Sequence, residues 1–199
     1  VYRRFGQRLL DLILTTLGLI VFGPLLLIVV LLVWRKIGAP VFFRQQRLGK
    51  DGTPFAVIKF RTMTDARGAD GDLLPDEQRL TRFGGFLRRS SLDELPELLN
   101  ILRGEMSLVG PRPLRVDYAE RYTAEQMRRH EVRPGITGWA QINGRNTITW
   151  EQKFVYDLWY IEHQSFILDL KVLGSTFWKV MRRADINQAG HVTMSEFLG

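Results

Sequence analysis

Asp93 and Glu94 stand side by side at the head of an apolar helical pattern formed by Leu95, Leu98, Leu99 and Leu102. A carboxylate there could attack a phosphorus centre or hold a hard divalent ion, and backbone dipoles at a helix start favour its charged form. Ser91 with Glu94 three residues later also fits a capping box, so a plain structural reading of Glu94 is a cap partner. Pro96 bears on where the helix begins. With Ser91 as cap, the proline would need an amide it lacks; with Asp93 as cap, that amide falls where no partner is required.

Two Gly/Pro/Arg segments supply the matching cations. Gly110-Pro111-Arg112-Pro113 restricts the backbone on both sides of Arg112, which holds a guanidinium in place at little further entropic cost. The run from Arg133 through Pro134-Gly135-Ile136-Thr137-Gly138 to Asn143-Gly144-Arg145 is dense in amide donors and adds two arginines, as a phosphate or nucleotide pocket requires. The glycines form neither a Walker loop nor a dinucleotide fingerprint. The tail from Asp185 to Glu196 imitates a calcium loop, but Ala189 sits at the fifth ligand position and only three residues follow Glu196, so calcium is not expected.

These residues need a scaffold, and the composition says what kind. The chain has 199 residues and a net charge of +7, enough for one compact domain with an appendage. It contains no cysteine, which excludes disulfides, thiolate metal sites and cysteine nucleophiles. The basic balance favours a polyanion: nucleic acid, anionic lipid or a phosphorylated substrate.

The N-terminal segment decides among them. Leu12 to Trp34 is a run of 23 residues without a charge, flanked by Arg3, Arg4, Arg8 and Asp11 on one side and Arg35 and Lys36 on the other. At about 1.5 Å per residue it could cross a hydrocarbon core of about 30 Å, and it exceeds the apolar core of an ordinary signal peptide. Gly23-Pro24 interrupts it midway, because proline removes a donor and clashes with the preceding turn. The segment therefore reads either as a kinked spanning helix or as a re-entrant helix-break-helix, each arm about 15–17 Å long. Basic residues on both flanks fit the second form, since a single crossing prefers positive charge on one side. Nucleic-acid binding competes poorly with so long an apolar segment.

Behind the anchor, two strand-like runs near Ala39 to Phe43 and Phe55 to Phe60 flank a turn marked by Gly49 and Gly52. Residues 64–76 read as a solvated loop. Arg82 to Arg89 interleaves aromatic and basic residues, as an interfacial amphipathic helix or a helix packed on the domain would. Trp150 to Tyr160 and Leu168 to Met181 are helical in character, with aromatics suited to an interface or to core packing. The expected fold is mixed α/β and mostly helical. Its expected parts are a membrane helix over residues 1–36, a polar domain over 37–184 and a tail over 185–199.

Several uncommon strings occur together: Lys59-Phe60-Arg61-Thr62-Met63, Arg88 followed by Ser91-Leu92-Asp93-Glu94-Leu95-Pro96, Gly110-Pro111-Arg112-Pro113, and Arg133-Pro134-Gly135-Ile136-Thr137-Gly138 leading to Asn143-Gly144-Arg145. In this order they closely resemble the monotopic phosphoglycosyl transferases of the bacterial sugar transferase family, especially its minimal members that consist of the catalytic domain alone. The resemblance runs from about Tyr2 to about Arg183. It implies transfer of a phosphosugar from a UDP-sugar to a polyprenyl phosphate, undecaprenyl phosphate, with release of UMP.

By the same resemblance Asp93 is the nucleophile of a ping-pong reaction and a Mg²⁺ ligand, and Glu94 is its dyad partner. Arg88 and Arg112 resemble phosphate ligands, with Lys59, Arg61 and Arg145 as further substrate-site candidates. The family also implies a re-entrant helix broken at Gly23-Pro24, although members often carry Ser where Gly23 stands. It places the catalytic domain on the cytoplasmic face of the bacterial inner membrane, against phospholipid. Downstream glycosyltransferases and a second copy of the chain are open as partners. The stretch Asp70 to Glu77 looks most like members that handle N-acetylated, bacillosamine-type sugars, with a UDP-hexose as the alternative. The rival functions are a membrane-associated phosphatase, which would transfer to water, and a noncatalytic anionic-lipid scaffold, which would be indifferent to Asp93→Asn.

Overall fold

The computed structural model describes residues 1–144, 147–182 and 197. Arg145 and the calcium-like run lie outside the described residues.

After one wide turn at Tyr2–Gly6, helix α1 occupies Gln7–Lys36. An 18-residue window within this stretch has a mean hydropathy of 2.9 with 11% of it buried, so α1 is not a core helix. Leu17, Ile20, Val21, Leu27 and Leu31 are all more than half exposed. The expected interruption at Gly23-Pro24 is absent at the level of secondary structure: α1 runs on with Pro24 inside it. The ring's φ is compatible with a helix, so proline deletes one hydrogen bond without forcing the chain out of the helix.

What α1 does bury is distributed over its whole length. Near its start, Asp11 Oδ1 accepts from Ser107 Oγ and from the Leu108 amide, both at 2.9 Å. Gln7 Nε2 donates to the Val109 carbonyl at 3.0 Å and to Tyr160 OH at 3.2 Å. Midway, Leu19 packs on the cluster of Phe55, Val57 and Ile101. Near its end, Val29 and Val33 join Phe60 and Leu87. Both halves of the helix thus rest on the same polar domain.

The expected strand pair is an antiparallel hairpin, β1 Phe42–Leu48 with β2 Pro54–Phe60. Strand β1 reaches further than the turn residues suggested, because Arg44 to Leu48 stay in register with Ile58 to Pro54 before Gly49 begins the turn. The register puts Phe43, Gln45 and Arg47 on the same face as Lys59, Val57 and Phe55.

Helix α2, Arg82–Arg89, starts where Thr81 Oγ1 accepts from the Gly84 amide at 2.9 Å. It packs Leu87 inward and leaves Phe86 46% exposed, so it serves the core and the surface together. Helix α3, Glu97–Arg103, follows with Pro96 at its N-cap. The anticipated start at Ser91 or Asp93 is therefore corrected. Ser91 makes no capping bond and sits left-handed at φ +55°, which turns the chain into a separate 3-10 turn at Leu92–Glu94. Proline ends the competition by having no amide to place inside the helix.

Two short parallel strands, β3 Ser107–Val109 and β4 Gly135–Thr137, bring the two Gly/Pro/Arg segments together. Gly135 is required by that approach: a Cβ there would lie 2.1 Å from the Gly110 amide nitrogen. Helices α4, Trp150–His163, and α5, Phe166–Arg182, complete the domain, burying Tyr160, Ile161 and Val172 against Val109 and Val132. A stripe of α5 formed by Phe166, Ile167, Leu170, Phe177 and Trp178 remains exposed.

Candidate active site

Lys59 on β2, Glu94 on the 3-10 turn and Arg112 on the loop after β3 converge on one atom. Glu94 Oε1 lies 2.6 Å from Lys59 Nζ and 2.5 Å from Arg112 Nη2. Lys59 Nζ also reaches Glu97 Oε1 at 3.1 Å. The registration of β2 against α3 comes from Asn100, fully buried, whose Oδ1 accepts from the Ile58 amide at 3.1 Å and whose Nδ2 donates to the Ala56 carbonyl at 2.8 Å. That clamp sets Lys59 opposite the first turn of α3.

Asp93 is 9% exposed. Burial and then the charge of Glu94 push its carboxyl up to about 6, against the opposing pull of Lys59, Arg88 and Arg112. It has no hydrogen-bond donor among the described residues, so its oxygens are not committed elsewhere. Glu94 behaves oppositely. Burial would raise it, but Arg112 and Lys59 outweigh that and hold it well below the usual carboxylate range. Glu97 is raised to about 7, chiefly by burial. Burial would lower Lys59, yet Glu94 and Glu97 together hold it above the ordinary lysine value. The turn therefore pairs a permanently charged, anchored carboxylate with a second whose charge is costly and whose oxygens are available.

The other predicted residues divide. Arg88 projects from α2, donates through Nε to Thr62 Oγ1 at 3.1 Å, and contributes to the field at Asp93. Arg61 spends its donors on structure, through Nη1 to the Ala39 carbonyl at 2.7 Å and Nε to the Met63 carbonyl at 3.0 Å, and it pairs with Asp65. Arg133 donates to the Gly104 carbonyl at 2.9 Å, closing the end of α3. Arg145 is not described.

Sequence reasoning missed Glu97, Arg129 and Asp157. Glu97 had a visible signal, being an acid one helical turn after Glu94 within an apolar pattern. Arg129 and Asp157 had none, because they are 28 residues apart. Arg129 donates to Asp157 Oδ2 from Nε at 3.1 Å and from Nη2 at 2.6 Å, and Nη2 also holds the Arg112 carbonyl at 2.9 Å. This buried pair fixes the loop that delivers Arg112.

A divalent ion is tested by the donor set. No group of three His, Asp or Glu residues arranged for an ion occurs among the described residues. Mg²⁺ needs less, since it commonly takes one or two carboxylates with substrate phosphates and water. The uncommitted Asp93 carboxylate beside Glu94 fits that mode.

Basic groups around an available carboxylate, on a domain resting along an apolar helix, suit attack on an anionic phosphorus centre near lipid. Residues 2–183 match the pattern of the family described as bacterial sugar transferase. The chain belongs to that family. It is 54% identical over 193 residues to an uncharacterised sugar transferase, EpsL, of Bacillus subtilis, covering 97% of this chain and 96% of that protein. It is 44% identical over 183 residues to the UDP-glucose:undecaprenyl-phosphate glucose-1-phosphate transferase of Klebsiella pneumoniae, covering 87% of this chain and 39% of that one. A UDP-galactose-lipid carrier transferase of Erwinia amylovora is 38% identical over 197 residues, covering 90% of this chain and 41% of that protein. The chain thus matches EpsL nearly end to end but spans about two-fifths of the two longer relatives.

Proposed function

We propose that this sugar transferase moves a phosphosugar from a UDP-sugar to undecaprenyl phosphate and releases UMP, through a covalent aspartyl phosphosugar on Asp93. The observation that carries the reading is the available, buried Asp93 carboxylate beside a Glu94 already locked by Lys59 and Arg112. An oxygen of Asp93 attacks the sugar-bearing phosphorus, the bond from that phosphorus to the bridging oxygen breaks, and UMP leaves with the electron pair. A phosphate oxygen of the lipid then attacks the same phosphorus and the aspartate oxygen departs, so neither half-reaction needs a net proton. Arg88 and Arg112 offset charge on the phosphoryl oxygens, and Glu94 holds Lys59 and Arg112 in place. When bound, Mg²⁺ would be held by Asp93 with Glu94 and would neutralise pyrophosphate charge.

The membrane reading is monotopic. A helix crossing the bilayer could not keep Asp11 and Val33 on one domain, whereas a shallow re-entrant α1, with Gly23 and Pro24 at its deepest point, would keep both on the cytoplasmic side with the basic flanks. Residues 1–36 then form the anchor, 37–184 the catalytic domain and 185–199 a tail. The exposed stripe of α5 and Phe86 of α2 lie in the phospholipid interface. For the sugar, the stretch from Asp70 to Glu77 favours an N-acetylated or diacetamido donor, and the names of the longer relatives favour a UDP-hexose.

UMP release measured with and without undecaprenyl phosphate, across a panel of UDP-sugars, tests the reaction. Release that depends on the lipid and ceases in Asp93→Asn supports transfer. Repeated turnover to UMP and free sugar phosphate without lipid would instead indicate transfer to water.

A further inference from the structure

Beyond Arg112, basic side chains continue away from the reaction centre. The backbone of Arg115 bridges that of Arg47, and the Leu48 amide donates to the Leu114 carbonyl at 3.0 Å, so the loop carrying Arg112 is zipped onto the end of β1. Arg47 lies on the same hairpin face as Lys59, and its Nη2 donates to Gln45 Oε1 at 2.6 Å. It pairs with no carboxylate among the described residues. Burial, then Arg112 and Arg115, lower its affinity for its own proton, as expected for a cation held among cations. Next to it, an open cavity of about 750 Å³ is bounded by Gln45 and Gln46 of β1 and by Arg115, Asp117, Glu120 and Arg121 around the 3-10 turn Val116–Arg121. That volume is within the usual range for a small-molecule site. Arg47 thus lies within the field of Arg112 and Arg115, and the cavity adjoins it through Gln45, Gln46 and Arg115.

We infer that this cavity is the nucleoside subsite of the donor, and that Arg47 is the ligand of the phosphate that leaves with the nucleoside. The inference rests on the transferase reading above. A UDP-sugar joins three parts, a sugar phosphate for the nucleophile, a second phosphate and a nucleoside, and Arg47 with the cavity beside it suits the last two. Arg47 so placed offers a dianion a cation beside Arg112 and Arg115, with Glu97 the acid whose charge reaches it. Gln45 holds its guanidinium, leaving further N–H donors for phosphate. Gln46, exposed on β1, offers an amide of both donor and acceptor character to a pyrimidine edge.

The ping-pong scheme makes the subsite separable from the rest of the site, because nucleotide is needed only for the first half-reaction. Full-length protein in detergent or nanodiscs is compared as wild type, Arg47→Gln and Gln46→Trp, the last filling the cavity from an exposed position. Thermal unfolding confirms that each is folded. Both variants should raise the donor KM and the UMP inhibition constant by about 10-fold or more. Discharge of preformed adduct by undecaprenyl phosphate should stay within about 2-fold in Gln46→Trp, a difference worth less than about 0.5 kcal/mol, whereas Arg47→Gln should slow it as well, because the lipid phosphate attacks from the place the UMP phosphate has left. Unchanged UMP inhibition in both variants, or equal losses of Gln46→Trp in both half-reactions, would overturn the subsite. UMP affinity is also read directly by equilibrium dialysis. If wild type releases no UMP to lipid, the transferase reading fails, while equal UMP affinity in wild type and both variants would separately sink the cavity assignment.

Discussion

Arg112 and Lys59 bind the same oxygen of Glu94, at 2.5 and 2.6 Å. That single atom ties the loop after β3 to strand β2 across the turn that carries Asp93. Arg112 keeps 47% of its side chain exposed, so the contact is partly screened and its value is positional more than energetic.

Glu94→Gln should therefore retain the fold but loosen both cations. Adduct formation is expected to slow by about 100-fold, the scale of a lost electrostatic positioning group. The same change removes a charge that helps raise Asp93 above its ordinary value, so the acid limb of adduct formation should move to lower pH. Single-turnover mass measurements across pH check both. An acid limb that stays in place would contradict the coupling.

Asp93 should weaken the fold it serves. Its carboxyl is raised from 3.8 to about 6 by burial first and Glu94 second. The folded protein holds that proton more tightly than the unfolded chain, so the stability it contributes is complete below pH 3.8 and is lost as pH rises through about 6. At pH 7 and without divalent ions, Asp93→Asn should be inactive yet more stable, by on the order of 1–3 kcal/mol. Urea unfolding in mild detergent at pH 4 and pH 7 measures this. The advantage of the variant should be larger at pH 7.

The Arg129–Asp157 pair reaches the chemistry through a backbone carbonyl. Asp157→Ala would leave a buried guanidinium unpaired and should cost about 3–5 kcal/mol. Arg129→Met with Asp157→Leu should recover much of that stability, since an apolar pair avoids the unpaired charge. The double variant should still transfer poorly, because the Arg112 carbonyl has lost its 2.9 Å donor. Recovery of full donor turnover would show that the pair is only structural.

The chain contains no cysteine, which makes topology readable by single labels. Cysteines placed at Arg4 and Lys36 in separate variants should both react with a membrane-impermeant thiol reagent from the cytoplasmic side. Labelling from opposite sides would establish a crossing and overturn the monotopic reading.

Much of this site could be read from residue types and spacing, and the remainder depended on partners far away in the chain. Asp93, Glu94 and Arg112 were visible because an acidic pair and a proline-flanked arginine are informative locally. Arg61 and Arg133 carried the same charge, yet they hold the carbonyls of Ala39 and Gly104, which no local pattern displays. The start of α3 was misplaced because Ser91 and Glu94 satisfy a capping pattern while Ser91 turns left-handed and Glu94 is drawn to Lys59 and Arg112. Asn100 carries no local signal of its role; only the fold shows it stitching β2 in place. For α1 the periodicity was uninformative, since its apolar residues surround the helix, and its attachment comes from Gln7 and Asp11 near its start, Leu19 midway and Val33 near its end.

The central claim is a covalent bond to Asp93, and intact-protein mass after incubation with Mg²⁺ and a panel of UDP-sugars, without lipid acceptor, tests it most directly. A gain equal to one phosphosugar in the wild type, absent from Asp93→Asn and discharged by undecaprenyl phosphate, is the predicted result. Lipid-dependent UMP release with no adduct from any accepted donor would contradict it and require direct transfer between the two bound substrates.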